Sequence, residues 1–456
     1  MSMTPMTTTR RKFLTSTTAL AAGSWIAPRF AIARPGPSAN SKINLAFIGV
    51  GGRGVLNLQG LSGENIVALC DVDDRSAAGA FKAHPNARRF RDFRQMLDKM
   101  GKEIDAVVVS TPDHTHFAAS MASMELGKHV FCEKPLTHTV WEARTMKKAA
   151  QHYKVVSIMG NQGHATEGIR YVKEWYDAGV LGKVTEVAAW RNGINFNGRF
   201  FRKPEAFPPP ATRVPDTLDW DLWLGPCSEK IPYNPVYTPR AWRGFYGFGS
   251  GLLGDWSCHT LDAPFWALEL GAPSVVERES STDGTPEFAP TACTMRFEFP
   301  ARGDKPPVIL RWHEGKPKPE IRESWGLKEI GAAGMIMTGD QGCLMTGERP
   351  DSPRLIPNEK WLEFRKNPPP KTIPRIKGGH YREWTDAIRG GAQPGSNFDY
   401  AAELTEMVLL GVLAQRFGGR IEYDAAQMKI TNRPELNAYL RVPARDGWKY
   451  GEPLGD

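Results

Sequence analysis

A chain of 456 residues with 41% hydrophobic and 24% charged residues is long enough for two or three domains with cores of their own, and too apolar for a disordered polymer. The formal charge of +8 excludes little by itself, because four basic residues and no acid fall within residues 1–33, and 54 basic residues face 50 acidic ones beyond them. That balance, without a dense Lys/Arg run interleaved with aromatics, argues against a nucleic-acid partner.

The chain opens with a segment of export character. Arg10-Arg11-Lys12-Phe13-Leu14 precedes a mildly apolar stretch over 19–26 and an Ala31-Ile32-Ala33 cleavage pattern, the arrangement of a twin-arginine signal peptide over 1–33. The expected destination is the periplasm or another exported location. No later stretch approaches about 20 continuous apolar residues, so no stable membrane insertion is expected after signal removal. The six cysteines are scattered without a CxxC pair, and neither a disulfide framework nor a metal centre is expected from them.

A Pro/Gly/Ser linker over 34–41 leads into alternating elements. Strands are expected over 43–50, 65–71, 106–110, 128–132 and 155–159. Helices are expected to begin near 55, 75, 93, 117 and 140. Short apolar strands alternating with amphipathic helices predict a parallel sheet covered on both faces over 42–165. Beyond 165 the pattern changes. A helix over 168–178 and a strand over 184–191 precede a Pro-, Gly-, Trp- and Arg-rich region over 198–245, expected to be a long ordered loop. Strands near 274–279, 291–299, 308–313 and 335–338, with helices around 256–269, 381–389 and 402–416, predict a second α+β domain over 166–456. Its sheet should be large, open and mainly antiparallel.

Four motifs carry chemistry. Gly49-Val50-Gly51-Gly52-Arg53-Gly54 follows the first strand and opens a helix. Gly49 permits the tight turn, Gly51 lets the backbone approach a pyrophosphate, and Gly54 allows close packing, so the phosphates meet the helix N-terminus at Gly52 and Arg53. Asp71 ends the second strand, where an acid accepts hydrogen bonds from a ribose 2′-hydroxyl and favours NAD over NADP. Thr111-Pro112-Asp113-His114-Thr115-His116 sits at a strand's carboxyl end, where such sheets bind ligands. It fits either a cofactor contact through Thr111, Pro112 and His116 or a turn with two surface histidines. Glu133-Lys134-Pro135 fits either a Lys beside a nicotinamide or a surface Lys before a helix-starting Pro. In Gly254-Asp255-Trp256-Ser257-Cys258-His259, Asp255 and His259 share a helix face, with His259 suited to take a hydroxyl proton and Asp255 able to orient the ring. A metal reading of Asp255 and His259 lacks a third protein ligand.

Taken together these motifs resemble the glucose-fructose oxidoreductase / inositol dehydrogenase / rhizopine-catabolism (Gfo/Idh/MocA) family over residues 42–448. The resemblance implies an N-terminal Rossmann dinucleotide-binding domain and a C-terminal α+β domain. It implies Lys134 and His259 as the catalytic pair with Asp255 in support, and a cofactor contacted by Glu133, Lys134 and Gln162 as well as by the glycine loop. Gly160-Asn161-Gln162-Gly163-His164 looks like the exported, twin-arginine members. His164, Trp256 and His380 join Lys134 and His259 as substrate-side candidates. The implied activity is NAD-dependent hydride transfer from a ring hydroxyl of a sugar, glycoside or cyclic polyol, in a homodimer or homotetramer. Export implies a tightly held, internally recycled cofactor. An NAD-assisted, redox-neutral glycosidase and a non-catalytic sugar-binding protein on the same fold are the rival readings.

Overall fold

The computed structural model describes residues 41–193 and 200–455. The expected signal peptide and nearly all of the expected linker lie outside the described residues.

The first sheet is built from β1 (Asn44–Ile48), α1 (Arg53–Gly60), β2 (Asn65–Cys70), α2 (Asp74–Ala83), β3 (Arg88–Phe90), α3 (Phe93–Met100), β4 (Ala106–Val109), α4 (Asp113–Glu125), β5 (His129–Cys132), α5 (Val140–His152) and β6 (Ser157–Met159). All strand pairs are parallel, in the order β3-β2-β1-β4-β5-β6. Neighbouring residues of β1 face opposite sides. Ala46 and Ile48 join the core beneath α3, α4 and α5, whereas Leu45 and Phe47 join the one beneath α1 and α2. β3 was not expected. It is three residues long and carries Arg88 and Arg89 at the sheet's edge, where charge rather than apolar alternation is the rule.

The chain continues through α6 (Glu167–Asp177), β7 (Val184–Arg191), α7 (Trp220–Leu224), α8 (Gly251–Thr260), α9 (Asp262–Leu268), β8 (Val275–Thr282), β9 (Ala292–Phe299), β10 (Val308–Glu314), β11 (Ala333–Gly339), β12 (Cys343–Thr346), β13 (Arg354–Ile356), α10 (Asn358–Phe364), α11 (Gly379–Ile388), α12 (Phe398–Phe417), β14 (Arg420–Asp424), β15 (Lys429–Ile430) and α13 (Glu452–Gly455). The second sheet has nine strands in the order β13-β12-β11-β7-β10-β9-β8-β14-β15, antiparallel except for the β10–β7 pair. The single helix expected around 256–269 is two. Pro264 has no N–H for the Thr260 carbonyl and its ring crowds that turn, so α8 stops at Thr260 and α9 starts at Asp262.

One helix lies where the sequence did not place it. α11 packs Trp384, Ala387 and Ile388 onto the first sheet, beside Phe131 and Ile158. α12 is buried on nearly all sides and links the two sheets. Its buried Glu406 accepts from Arg144 of α5 at 2.8 Å (Nε) and 2.5 Å (Nη2) and from the Tyr423 hydroxyl at 2.9 Å, while Arg144 also reaches the Ala425 carbonyl at 2.7 Å.

Replacing Arg144 by Met removes the charged partner of the buried Glu406 carboxylate and leaves it only the Tyr423 hydroxyl among the described residues. We expect a loss of about 3–5 kcal/mol of stability and a clear fall in Tm, measured by denaturant and thermal unfolding.

Candidate active site

The carboxyl ends of the first sheet's strands open into a cavity of about 780 Å³, closed on the far side by α8, the end of β7, and the 200–245 region. The glycine loop forms its floor. Gly49 has φ +80°, and a Cβ there would lie 2.8 Å from the Ser110 carbonyl carbon, so only glycine fits. A Cβ on Gly54 would collide with the Gly49 carbonyl oxygen, which explains why Gly54 packs behind the loop and does not line the cavity. Beyond Gly52, with φ +49°, lies open space, and α1 begins there with no side-chain cap. The Thr111 hydroxyl is also buried without a protein partner. An uncapped helix start facing open space and an unsatisfied hydroxyl at the lip fit a dinucleotide's phosphates.

Asp71 lines the cavity, as its position after β2 predicts. Its Oδ2 accepts from the Val50 and Gly51 amides at 2.9 and 3.2 Å, and its Oδ1 from the Asp73 amide at 3.0 Å, so it also fastens the glycine loop to β2. Burial pushes this carboxyl up, and the three amides pull against that. Arg53 is not left for phosphate alone. Its Nε meets Glu133 Oε1 at 2.7 Å, and its Nη1 lies 3.0 Å from the Gln162 amide, whose oxygen faces it once the amide is oriented to satisfy both groups. Glu133 takes a further hydrogen bond from Asn57 at 3.0 Å. His116 lines the cavity with both ring nitrogens engaged, 2.9 Å from the Pro135 and Thr111 carbonyl oxygens. It shapes the two strand ends instead of offering a nitrogen to the cofactor.

The expected catalytic trio converges across the cavity. Lys134 Nζ donates to Asp255 Oδ1 and to the Asp255 carbonyl oxygen, each at 2.6 Å. Burial alone would raise the Asp255 carboxyl. Lys134 and Arg243 (Nε at 3.5 Å) outweigh it and hold the group well below the usual carboxylate range. The expectation that Asp255 orients His259 is corrected. They share a face of α8, but the His259 Nδ1 contact is Asn161 Oδ1 at 3.0 Å. Nδ1 therefore donates and Nε2 is left as the ring's acceptor. Burial, then Lys134 and Arg349, lower the His259 pKa well below 6.5, so the ring is neutral at pH 7.

Two expected substrate residues lie elsewhere. His164 is buried with Nδ1 2.9 Å from Asp262 Oδ1, against Tyr400 and Trp266. Residues two apart in the 3-10 turn Gln162–Ala165 point to different sides, so Gln162 lines the cavity and His164 does not. His380 sits on α11 against Phe131 and Tyr381, away from the cavity lining, and burial lowers its imidazole to about 4. Trp256 does line the cavity, edge-on to His259, but the Arg191 guanidinium lies 3.8 Å from its ring centre and Arg349 5.3 Å. Sequence reasoning assigned no role to Asn161, Arg191, Arg243 or Arg349. Asn161 stood within a quoted motif; the arginines stood in none.

Residues 217–223 close the Asp71 end of the cleft. The Asp74 amide donates to the Thr217 carbonyl at 3.0 Å, and the Asp219 amide to the Val72 carbonyl at 2.9 Å. Leu218 and Trp223 then line the cavity from above.

Residues 43–161 match the GFO_IDH_MocA model, described as an oxidoreductase family with an NAD-binding Rossmann fold, and residues 166–290 match its companion, described as the C-terminal alpha/beta domain. The chain belongs to the Gfo/Idh/MocA oxidoreductase family. Among similar family members, the levoglucosan dehydrogenase of Pseudarthrobacter phenanthrenivorans is 26% identical over 198 residues, covering 42% of this chain and 41% of that one. Inositol 2-dehydrogenase 2 of Saccharopolyspora erythraea is 38% identical over 208 residues, covering 43% and 58%. The chain thus matches about half the length of these curated relatives. The crystal structure of the WlbA dehydrogenase from Bordetella pertussis, in complex with NADH and UDP-GlcNAcA, has the same fold at a TM-score of 0.60 and 17% identity, covering 85% of this chain and 99% of that one. The aldose-aldose oxidoreductase from Caulobacter crescentus, complexed with glycerol, aligns at 0.53 and 16%, covering 84% and 99%. The NAD-binding Rossmann domain and the mostly antiparallel second sheet expected from the sequence are both present.

Asn161→Ala should lower kcat about 10- to 100-fold with KM within about threefold, because the His259 ring loses the hydrogen bond that orients it. Asn161→Asp restores an acceptor but adds a negative charge that favours the imidazolium. The acid limb of kcat/KM, expected below pH 6.5, should then move upward in a pH–rate profile.

Proposed function

We propose that this family member transfers hydride between a ring hydroxyl carbon of a sugar, glycoside or cyclic polyol and a nicotinamide cofactor retained in the cavity. The observation that carries this reading is that Lys134, just after β5, and His259 of α8 line the same cavity as the glycine loop, with Lys134 close enough to act on the charge of His259. NAD, when bound, supplies the hydride acceptor. His259 Nε2 takes the hydroxyl proton, since its Nδ1 is committed to Asn161. Lys134 keeps one N–H beyond its two contacts with Asp255 and steadies the developing alkoxide. The dehydrogenase names of the relatives support the reaction class. In this reading residues 42–165 form the cofactor domain and residues 166–456, α11 apart, the substrate and assembly domain.

Lys134→Met and His259→Asn should each lower turnover by about 10³-fold or more while NAD still copurifies, as seen by mass spectrometry of the released cofactor. Near-normal turnover in both would defeat the assignment. Release of nitrophenol from nitrophenyl glycosides without net NADH would instead establish a redox-neutral glycosidase.

The same proposal places the protein in the periplasm as a twin-arginine export substrate. The ordered sequence Arg10-Arg11, apolar stretch and Ala31-Ile32-Ala33 supports this. Among the described residues no helix is long and apolar enough to cross a membrane. Replacing both Arg10 and Arg11 by Lys should leave the uncleaved protein in the cytoplasm, checked by fractionation and N-terminal sequencing. The proposed homodimer or homotetramer would use the charged outer face of the second sheet, where Arg296 and Arg311 pair with Glu298 and Glu279. Light scattering measures the assembly mass.

A further inference from the structure

The substrate side of the cavity carries more positive charge than its own carboxylates neutralise. Lys134, Arg191, Arg240, Arg243 and Arg349 line it. Asp255 is taken by Lys134 and Arg243. Asp113 is buried and accepts from Ser250 at 2.7 Å. Glu348 is shared, one oxygen facing Arg191 Nη1 and the other Arg349 Nη1 at 2.8 Å. Five cations thus surround three carboxylates.

The geometry of Arg191 sharpens the point. Its guanidinium is stacked on Trp256, its Nη1 is committed to Glu348, and its Nε is buried with no hydrogen-bond partner among the described residues. A buried guanidinium N–H without an acceptor costs stability, and such forks match planar carboxylates. Arg349 lies against the same indole and close enough to His259 to act on its charge. The unsatisfied positive groups therefore stand beside the proton-accepting ring and away from the glycine loop that would hold the cofactor's phosphates.

Resting on the dehydrogenase reading above, we propose that the substrate is a sugar acid, its carboxylate held by Arg191 and Arg349 beside Trp256 while its reacting hydroxyl meets Lys134 and His259. A carboxylate suits the single planar fork left on Arg191. A phosphate would bring the same charge with a tetrahedral array of oxygens.

The test uses the full chain with its copurified NAD and reads single-turnover reduction of the bound nicotinamide. Matched substrates are D-glucose, D-glucuronate and D-glucose 6-phosphate, with D-galactose, D-galacturonate and D-galactose 1-phosphate as a second set. In at least one set the acid should react about 100-fold faster, per unit concentration, than its neutral partner. Arg349→Met, on a partly exposed loop, should cut that acid-to-neutral ratio by about 30-fold or more, mainly through KM, with the unfolding midpoint unchanged. Equal or faster reaction of neutral sugars overturns the proposal, and so does a ratio untouched by Arg349→Met. Faster reaction of the phosphates replaces the carboxylate assignment. No reduction by any sugar, with NAD present by mass spectrometry, overturns the dehydrogenase reading and this proposal with it.

Discussion

The contact between Lys134 and Asp255 fixes the rest of the site. Lys134 follows the last residues of β5, and Asp255 lies in α8, so one ammonium ties the cofactor half of the molecule to the substrate half. Two charges this far from water would be costly apart. Together their attraction offsets that cost and keeps Asp255 ionised, and the second hydrogen bond to the Asp255 carbonyl sets the rotation of α8 as well as its distance. His259 is one turn further along the same helix, so its place follows from that rotation. Its ring plane is then set by Asn161 at the end of β6. The imidazole, the ammonium and the floor of the cleft are thereby positioned by three strand ends and one helix of the same rigid frame.

Much of this was legible in the sequence, and the boundary of legibility has a physical form. The glycine loop, Asp71, Lys134 and the Asp255–His259 spacing are local statements about a turn, a strand end or a helix face, and local geometry enforces them. Partners are not local. The sequence can place Asp255 and His259 on one face of α8, but the approach of β5 and β6 decides that the carboxylate meets Lys134 and the imidazole meets an amide. His164 failed for a similar reason: a tight turn separated it from Gln162 and delivered it to Asp262.

The same distinction explains the larger surprises. The amphipathic pattern of α11 declares a buried face without saying which sheet will cover it, and it returned to the first. Arg191 ends a strand and Arg349 lies in a hairpin loop between β12 and β13. Neither stands in a motif, and they meet at Trp256 only because β7 and that loop are brought to the same rim. Pro264, by contrast, was a readable break in the 256–269 helix. It takes on meaning through the separation it produces, with Asp255 and His259 on α8 and the Asp262 anchor on α9.

The main-chain pairing of residues 217–219 with residues 72–74 carries a consequence for time as much as for shape. Side chains that cover a cleft swing aside in nanoseconds, but backbone hydrogen bonds open only when a stretch of chain comes loose as a unit. A dinucleotide beneath such a strap would leave at the rate of that local unfolding, whatever its concentration in the surroundings. A diffusible coenzyme would thereby become a resident prosthetic group, reduced and reoxidised without changing owner.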